Sequence, residues 1–248
     1  MLWIIIIVCL IIIISTAASI GFRKAGFTRH VSAEGIEDEA VIDAYDRISR
    51  WPQFKVLRSI ILRELIKYQP KGTLADIGCG PGYLITRMVQ AMPQLSIIGV
   101  DISDKILKKA RKNLAKRGLT DRVTFRPGDI KQLPFEPSSL DFAVSTLSLH
   151  HWSNPSAALE EIHRVLKPAG QFLIFDLRRD SPRIVYWVLR AAQTLILPRA
   201  LRRVNEPTSS FLAAYQPSEV QSMLSLSSFK SVDISSSLFW LFAWGQKN

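Results

Sequence analysis

Three glycines at alternate positions form the part of the sequence with the clearest capacity for ligand binding. Gly78, Gly80 and Gly82 follow a short apolar run that contains Asp76, and a helix-prone stretch comes next. This order predicts a strand, a tight turn and a helix. Glycine lacks Cβ, so the turn can approach a ligand closely, and the N–H groups at the start of the helix can bind it. We therefore predict a ligand site at residues 76–82.

A second acid, Asp101, ends the next predicted strand, about 20 residues after the glycines. An acid at this place accepts hydrogen bonds from both hydroxyls of a ribose. The alternative role is a helix cap, but Ser103 is better placed to cap the helix that follows. We therefore expect Asp101, with Ile102 beside it, to bind a ribose-containing ligand. A dinucleotide is disfavoured because Gly82 comes one residue early for the third glycine of its fingerprint.

Side chains that could move a proton follow the fourth predicted strand, residues 140–145. Ligands bind at the carboxyl ends of parallel strands, so Ser145, Thr146 and either His150 or His151 should border the cleft. A histidine there could accept a proton from a phenol or an enol, since its pKa lies near neutrality. The histidine could equally have a structural role, as a capping residue or as a packed side chain. Both roles stay open, and the sequence assigns no catalytic residue.

Length and charge limit the kind of protein that carries these residues. The chain has 248 residues, 48% of them hydrophobic, enough for one α/β domain and an appendage. Its formal net charge of +11 at pH 7 favours an anionic partner, either a membrane or a nucleic acid. The two cysteines, Cys9 and Cys79, form neither a disulfide framework nor a zinc site, and we expect no metal.

The N-terminal stretch predicts a membrane anchor. Residues 2–22 carry no charge and would span about 31 Å as a helix, enough for a bilayer core. A cleaved signal peptide with its small-residue site at residues 16–18 is the alternative. Arg23, Lys24 and Arg29 follow the apolar stretch and no basic residue precedes it. This arrangement favours a retained anchor with the rest of the chain in the cytoplasm.

The order of motifs resembles one known family. The pattern D-x-G-x-G-x-G at residues 76–82 is similar to motif I of the class I S-adenosylmethionine-dependent methyltransferases. Three further motifs follow in the order of that family: an acid after the third predicted strand (Asp129), an L-P-F turn (133–135) and the run R-V-L-K-P-A-G (164–170). In the last motif the alanine of this chain replaces the first glycine of the usual family run. The segment around Tyr45 resembles the pre-domain helix of the ubiquinone/menaquinone-biosynthesis type. The resemblance extends over most of the chain after the predicted anchor.

This resemblance implies a doubly wound, Rossmann-like α/β sheet of seven strands that binds S-adenosyl-L-methionine. Asp129 would accept a hydrogen bond from the adenine amino group, and Ile130 would contact the ring. Tyr45 would either help to close the cofactor pocket or pack on the sheet edge. The predicted cofactor-binding residues are Asp76, Gly78, Gly80, Gly82, Asp101, Ile102, Asp129, Ile130 and Ser145.

The predicted organisation has three parts. These are an N-terminal transmembrane anchor (1–22), juxtamembrane and pre-domain helices (23–69) and a methyltransferase domain (70–248). Within the domain, residues 178–216 form an insert over the substrate side, which we call the cover. Its apolar stretch, residues 184–197, is flanked by arginines. We expect this stretch either to lie in a membrane interface or to be a buried helix.

The resemblance also points to an acceptor class. Enzymes that methylate bases usually carry Asn or Asp, two prolines and an aromatic residue after the fourth strand, and this chain does not. We therefore expect methyl transfer to a hydrophobic small molecule, such as a quinone precursor, a sterol-like compound or a lipid, at a membrane surface. The alternatives are an RNA methyltransferase, although no RNA-binding motif is visible, and a non-catalytic membrane-tethered cofactor binder. We expect a single-pass membrane protein with a cytoplasmic domain and no nucleic-acid partner.

Overall fold

The computed structural model describes residues 26–30 and 38–248. The predicted anchor, residues 1–22, lies outside the described residues. Within the described ranges no helix is both long and apolar enough to cross a membrane. The first described segment, residues 26–30, has no regular secondary structure, and we call it the strap.

Seven strands form one sheet. They are β1 (Thr73–Ile77), β2 (Ser96–Asp101), β3 (Val123–Pro127), β4 (Leu140–Thr146), β5 (Leu166–Leu177), β6 (Ser231–Ser236) and β7 (Trp240–Gln246). Their order across the sheet is β3-β2-β1-β4-β5-β7-β6. The first five strands pair in parallel, and β7 lies antiparallel between β5 and β6. The predicted seven-stranded, Rossmann-like sheet is thus confirmed.

Helices cover both faces of this sheet. In the described part of the chain they are α1 (Glu39–Ser49), α2 (Pro52–Lys67), α3 (Tyr83–Ala91), α4 (Asp104–Ala115), α5 (Pro155–Val165), α6 (Arg183–Leu195), α7 (Arg199–Arg203), α8 (Thr208–Ala213) and α9 (Pro217–Ser225). Short 3-10 turns lie at Thr120–Arg122 and Leu149–His151.

Alternate residues of each strand face opposite sides of the sheet and build two cores. Leu74 and Phe142 pack into the core that contains α2, α3 and α4. Ala75 and Ala143 pack into the core that contains α5 and α9. Because both faces are buried, the parallel strands are nearly continuous apolar runs.

The carboxyl ends of the parallel strands meet at one edge of the sheet. The glycine turn follows β1, which has β2 on one side and β4 on the other. Asp101 ends β2, and Asp129 lies shortly after β3. The fold therefore brings three distant sequence motifs to a common edge, where ligands of such sheets bind.

The cover contains three helices in place of the single predicted one. The predicted helix at 184–197 corresponds to α6, and α7 and α8 follow it within the insert. Leu201 of α7 packs against Val41, Ala44 and Ile48 of α1 in a third, smaller core. The cover is therefore attached to the pre-domain helix as well as to the sheet.

Ala169, which stands where the family has glycine, is an exposed residue with φ of +61° in the part of β5 where its register with β4 shifts. A side chain in this left-handed region costs about 1–2 kcal/mol. We expect Ala169→Gly to stabilise the protein by about 0.5–1 kcal/mol, since glycine relieves this strain but also raises the entropy of the unfolded chain. Urea unfolding measures the change in the free energy of unfolding.

The control is Ala191→Gly, which makes the same chemical change at an exposed position in the middle of α6. This variant should lose about 1 kcal/mol because glycine is a poor helix former. A loss of stability in both variants would contradict the strain assigned to Ala169.

Candidate functional site

A cleft of about 310 Å³ opens at the carboxyl edge of the sheet. Six predicted site residues line it: Gly78, Gly80, Asp101, Ile102, Asp129 and Ile130. Three others, Asp76, Gly82 and Ser145, do not line it. Val41, Ile42 and Tyr45 of α1 contribute a further wall. The pre-domain helix is thus part of the site.

The Asp101 carboxylate is oriented by two backbone amides. Its Oδ2 accepts a hydrogen bond from Gly80 N at 3.0 Å, and its Oδ1 accepts one from Ser103 N at 3.1 Å. Asp101 is buried, yet it lines the cleft. A carboxylate offers about four acceptor positions, so these bonds fix its direction without exhausting its capacity for ligand hydroxyls.

Two of the glycines serve different purposes. At Gly80, with φ of +54°, nothing in the described structure lies within 4 Å of the place where a Cβ would stand, so a ligand can approach the backbone. At Gly82, with φ of +77°, a Cβ would lie 3.0 Å from Leu114 Cδ1 and 3.2 Å from Ala110 Cβ. Gly82 therefore allows α3 to begin against α4, and it contributes to the site through packing.

The glycine turn is also tied to β2. Gly78 N and Cys79 N both donate to Val100 O, at 2.8 Å and 2.9 Å. The Cys79 side chain is buried, and this burial raises the pKa of its thiol well above the usual range. The turn is thus rigid where it meets the cleft.

Asp76 is a buried acid beneath the site. It is 1% exposed, and neither carboxylate oxygen has a hydrogen-bond partner among the residues that the structure describes. Burial, followed by the nearby Asp101 charge, raises the pKa of Asp76 to about 7. A positive charge in the cleft would favour its ionised form.

The turn after β3 forms the other end of the cleft. Gly128 N donates to Asp101 O at 3.0 Å, which fixes this turn to the end of β2. Lys131 N donates to Asp129 Oδ1 at 3.0 Å, a local bond that sets the direction of the Asp129 side chain. Asp129 and Ile130 both line the cleft. This places an acceptor group and an apolar surface side by side.

Ser145 has a structural contact where the sequence suggested a site residue. It is 1% exposed, and its Oγ donates to Ile77 O at 2.8 Å. The hydroxyl therefore connects β4 to β1 below the cleft. The residues after β4, Leu147, Ser148, His151 and Trp152, line the cleft in its place.

The two histidines are in different environments. His150 is 2% exposed, and its Nδ1 lies 2.7 Å from Asp176 Oδ1 at the end of β5. The His150 backbone N–H donates to Asp176 Oδ2 at 2.9 Å. His151 lines the cleft, and its ring centroid lies 3.9 Å from that of His150. Only His151 is placed to meet a ligand in the cleft.

Strain accompanies this end of β4. Leu147, which lines the cleft, has φ of +55°, an unfavourable value for a bulky side chain. Its backbone N–H donates to Phe175 O at 2.8 Å, which holds the turn to β5. Such conformations concentrate at functional sites, where the surrounding structure maintains them.

Sequence reasoning missed Asp46, which attaches α1 to the site. Its Oδ1 accepts hydrogen bonds from Tyr83 Oη at 3.0 Å and from Asn113 Nδ2 at 2.8 Å. Burial, followed by the hydrogen bond to Asp46, raises the pKa of Tyr83 to about 12. The available signal was Asn113, an amide that is buried together with the apolar face of α4 and requires a partner.

Comparisons with known proteins agree with this geometry. Residues 75–174 match a family described as a methyltransferase domain. The demethylmenaquinone methyltransferase of Leptospira interrogans is 31% identical over 171 residues, which cover 66% of each chain. The chain belongs to the class I S-adenosylmethionine-dependent methyltransferases.

Other relatives of this methyltransferase differ in length. The biotin biosynthesis bifunctional protein BioHC of Teredinibacter turnerae is 32% identical over 143 residues, 55% of this chain and 25% of its own. A SAM-dependent methyltransferase from Aquifex aeolicus has the same fold, with a TM-score of 0.61 and 18% identity over 84% of this chain and 98% of its own. This methyltransferase spans 25% to 66% of the length of these two curated relatives.

The cofactor of the family is S-adenosyl-L-methionine, and the cleft of this methyltransferase suits it. The oriented carboxylate of Asp101 matches a ribose diol. The open space at Gly80 admits a ligand close to the backbone, and the buried acid Asp76 lies beneath the cleft without lining it. Asp129 and Ile130, predicted to contact the adenine ring, line the same cleft.

Asp101→Ala should weaken binding of S-adenosyl-L-methionine by about 10- to 100-fold, because hydrogen bonds to a charged group contribute about 1.5–3 kcal/mol. Calorimetric titration of the full chain measures the dissociation constant. Asp104→Ala, which removes an exposed acid from the first turn of α4, is the control for lost charge. Equal affinity of the Asp101 variant and the control for S-adenosyl-L-methionine would show that Asp101 does not bind the ribose.

Asp76→Asn should change how stability depends on pH. The raised pKa means that the folded state keeps a proton that the unfolded chain loses near pH 4, so this contribution to stability falls as pH rises from about 4 to about 7. An amide does not titrate. From pH 5 to pH 8 the stability of the variant relative to the natural protein should therefore rise by about 2–3 kcal/mol.

Chemical unfolding at both pH values measures this difference without bound cofactor. Asp233→Asn removes an exposed carboxylate on β6 and serves as the control. If Asp76→Asn and the control show the same pH dependence, the buried carboxyl of Asp76 is not the group that titrates.

Proposed function

We propose that this methyltransferase transfers a methyl group from S-adenosyl-L-methionine to a small hydrophobic acceptor at a membrane surface. The observation that carries the proposal is the outer side of α6 and the turn after it. Trp187, Leu195 and Ile196 are 60%, 83% and 58% exposed there. A helix on a water-exposed surface normally turns such side chains toward the core. A lipid interface is the environment that an exposed apolar set of this kind fits.

Charges around this apolar set support the same partner. Exposed arginines lie on α6 and α7: Arg183, Arg190, Arg199, Arg202 and Arg203. Each basic residue near an anionic membrane contributes about 1 kcal/mol of attraction. The cover thus combines apolar side chains that enter the interface with cations at the level of the head groups.

The part of the cleft beside β4 supports an apolar acceptor. The residues assigned to the cofactor lie at the ends of β3, β2 and β1, and the cleft continues past them. Leu147, Ser148, His151 and Trp152 line this remaining part. Its surface offers apolar and aromatic groups together with a hydroxyl and an imidazole. It fits an apolar molecule with one polar reacting group.

The chemistry asks little of the protein. Bound S-adenosyl-L-methionine supplies a methyl group activated by its sulfonium charge. The role of the chain is to align the acceptor with the cofactor. His151 is placed to take the proton that a hydroxyl or enol acceptor loses. His150 is held by Asp176 and supports the ring of His151.

The relatives support a small molecule over a nucleic acid. One is named for biotin biosynthesis and another for methylation of demethylmenaquinone. Both names concern small molecules, and only the second concerns a lipid-soluble acceptor. We place the acceptor of this chain in the lipid-soluble class because of its exposed cover.

We extend the proposal to the N-terminal stretch. Residues 2–22 would be a single membrane span, with the domain on the cytoplasmic side because Arg23 and Lys24 follow the span. Such a span keeps the cover near the bilayer. In a carbonate wash the full chain should stay in the membrane pellet, because screened charges do not hold an apolar helix. Release into the wash would contradict the span.

Leu195→Ser should lower turnover of a vesicle-borne acceptor by about 10-fold, because burying a leucine side chain contributes about 1.5–3 kcal/mol. The measurement is transfer of labelled methyl from S-adenosyl-L-methionine by the full chain to total lipid extract in anionic vesicles. Affinity for the cofactor should not change.

Leu226→Ser is the matched control, since Leu226 is 84% exposed at the end of α9, outside the cover. The control should retain its turnover. Total RNA is tested in parallel as acceptor. Labelling of RNA in place of the lipid extract would contradict the proposed function.

A further inference from the structure

The strap, residues 26–30, is bound to the cover by backbone and ring contacts. His30 N donates to Leu212 O at 3.1 Å, at the end of α8. The Phe27 ring lies 4.8 Å from that of Tyr186 and 6.0 Å from that of Phe211, between centroids. A segment without helix or strand is therefore held against α6 and α8.

Arg29 is the central contact of the strap. Its Nε donates to Ala213 O at 2.8 Å, and its Nη2 donates to His150 O at 3.3 Å. Its guanidinium lies 4.1 Å from the centroid of the Tyr215 ring, a cation–π geometry. One side chain thus joins the strap, the cover and the turn after β4.

Arg179 holds the same strap from the other side. It is 4% exposed, and its Nε donates to Phe27 O at 2.9 Å. Its Nη1 donates to Ala214 O, and its Nη2 pairs with Glu219 Oε1 at 2.8 Å. Arg179, a buried arginine, thus donates two hydrogen bonds to backbone carbonyls, one in the strap and one in the cover. This arrangement requires the strap in place, since an unpaired buried donor is costly.

These contacts reach the acceptor side of the cleft and none of the residues assigned to the cofactor. The carbonyl bound by Arg29 belongs to His150, directly before His151, which lines the cleft. The hydrogen bonds of Arg29, His30 and Arg179 end on the strap, the cover, Glu219 and the turn after β4. The strap can therefore influence one end of the cleft separately from the other.

We propose that Arg29 is a positioning residue for the acceptor end of the site: it binds the strap to the cover and fixes the backbone that carries His151. This inference rests on the proposed function, because it assigns the β4 end of the cleft to the acceptor. Docking of the strap and binding of the acceptor are then coupled, so each strengthens the other.

The strap lies close in sequence to the N-terminal apolar stretch, so the coupling extends to whatever holds that stretch. Residues 2–22 end four residues before the strap begins. Any partner that holds the apolar stretch, including a bilayer, therefore acts on the chain directly next to the acceptor end. Attachment of the N-terminus and the arrangement of the cover become linked properties.

The test is Arg29→Ala in the full chain. Loss of two charge-assisted hydrogen bonds and a cation–π contact should raise the population of the undocked strap by about 10- to 100-fold. Hydrogen–deuterium exchange should become faster both in residues 208–215 and in residues 148–152. The KM for a vesicle-borne acceptor should rise about 10-fold, and the Kd for S-adenosyl-L-methionine should stay within about twofold.

Two further variants separate positioning from a general loss of structure. Arg29→Lys keeps the charge but has a single donor nitrogen, so its exchange rates and KM should fall between those of Arg29→Ala and the natural protein. Arg111→Ala removes contacts of the same kinds, one hydrogen bond to Phe125 O at 3.0 Å and a cation–π contact with the Phe125 ring, far from the strap in sequence. It should leave exchange at 148–152 and 208–215 unchanged.

Two outcomes would overturn the inference. One is unchanged exchange in residues 148–152 of Arg29→Ala, which would show that the strap does not fix the backbone near His151. The other is an equal loss of cofactor affinity and acceptor affinity, which would indicate general damage. The exchange measurement needs no acceptor, so failure of the proposed methyl transfer would be seen separately, in the natural protein.

Discussion

The hydrogen bonds from Gly80 N and Ser103 N to the Asp101 carboxylate fix the edge of the sheet on which the site is built. They join the turn after β1 to the start of the helix after β2. The carbonyl of the same residue accepts from Gly128 N, which adds the turn after β3. Asp101, at the end of β2, thus fixes the relative positions of three neighbouring turns. These turns line the cleft and determine its shape.

The sheet and the position of the glycine turn and Asp101 at its carboxyl edge could be predicted from sequence because each has a local sequence pattern. Glycine spacing identifies the turn, and a buried strand that ends in Asp101 identifies the next motif. Ser145 shows the limit, since strand register decides whether a hydroxyl faces the cleft or the carbonyl of Ile77. The contact of Asp46 with Asn113 joins residues 67 positions apart, and no local pattern encodes such a partner.

The acceptor side was less predictable because it is assembled from parts that are distant in the chain. The cover, α1 and the strap each contribute, through the core around Leu201 and through Arg29 and Arg179. The sequence indicated an apolar helix at 184–197 and left open whether it is buried. In the structure Tyr186 of α6 contacts Phe27 and Phe211, whereas Leu195 at the end of α6 and Ile196 after it are exposed.

Cys79 lies in the glycine turn beside the cleft, yet its thiol is buried. Thiols react with oxidants and alkylating agents as thiolates, and burial keeps this thiol in its neutral form. In the folded domain the side chain therefore behaves as a small apolar group that packs behind the turn. Burial of Cys79 thus disfavours the reactive thiolate in the folded domain, and unfolding of the turn would expose the thiol.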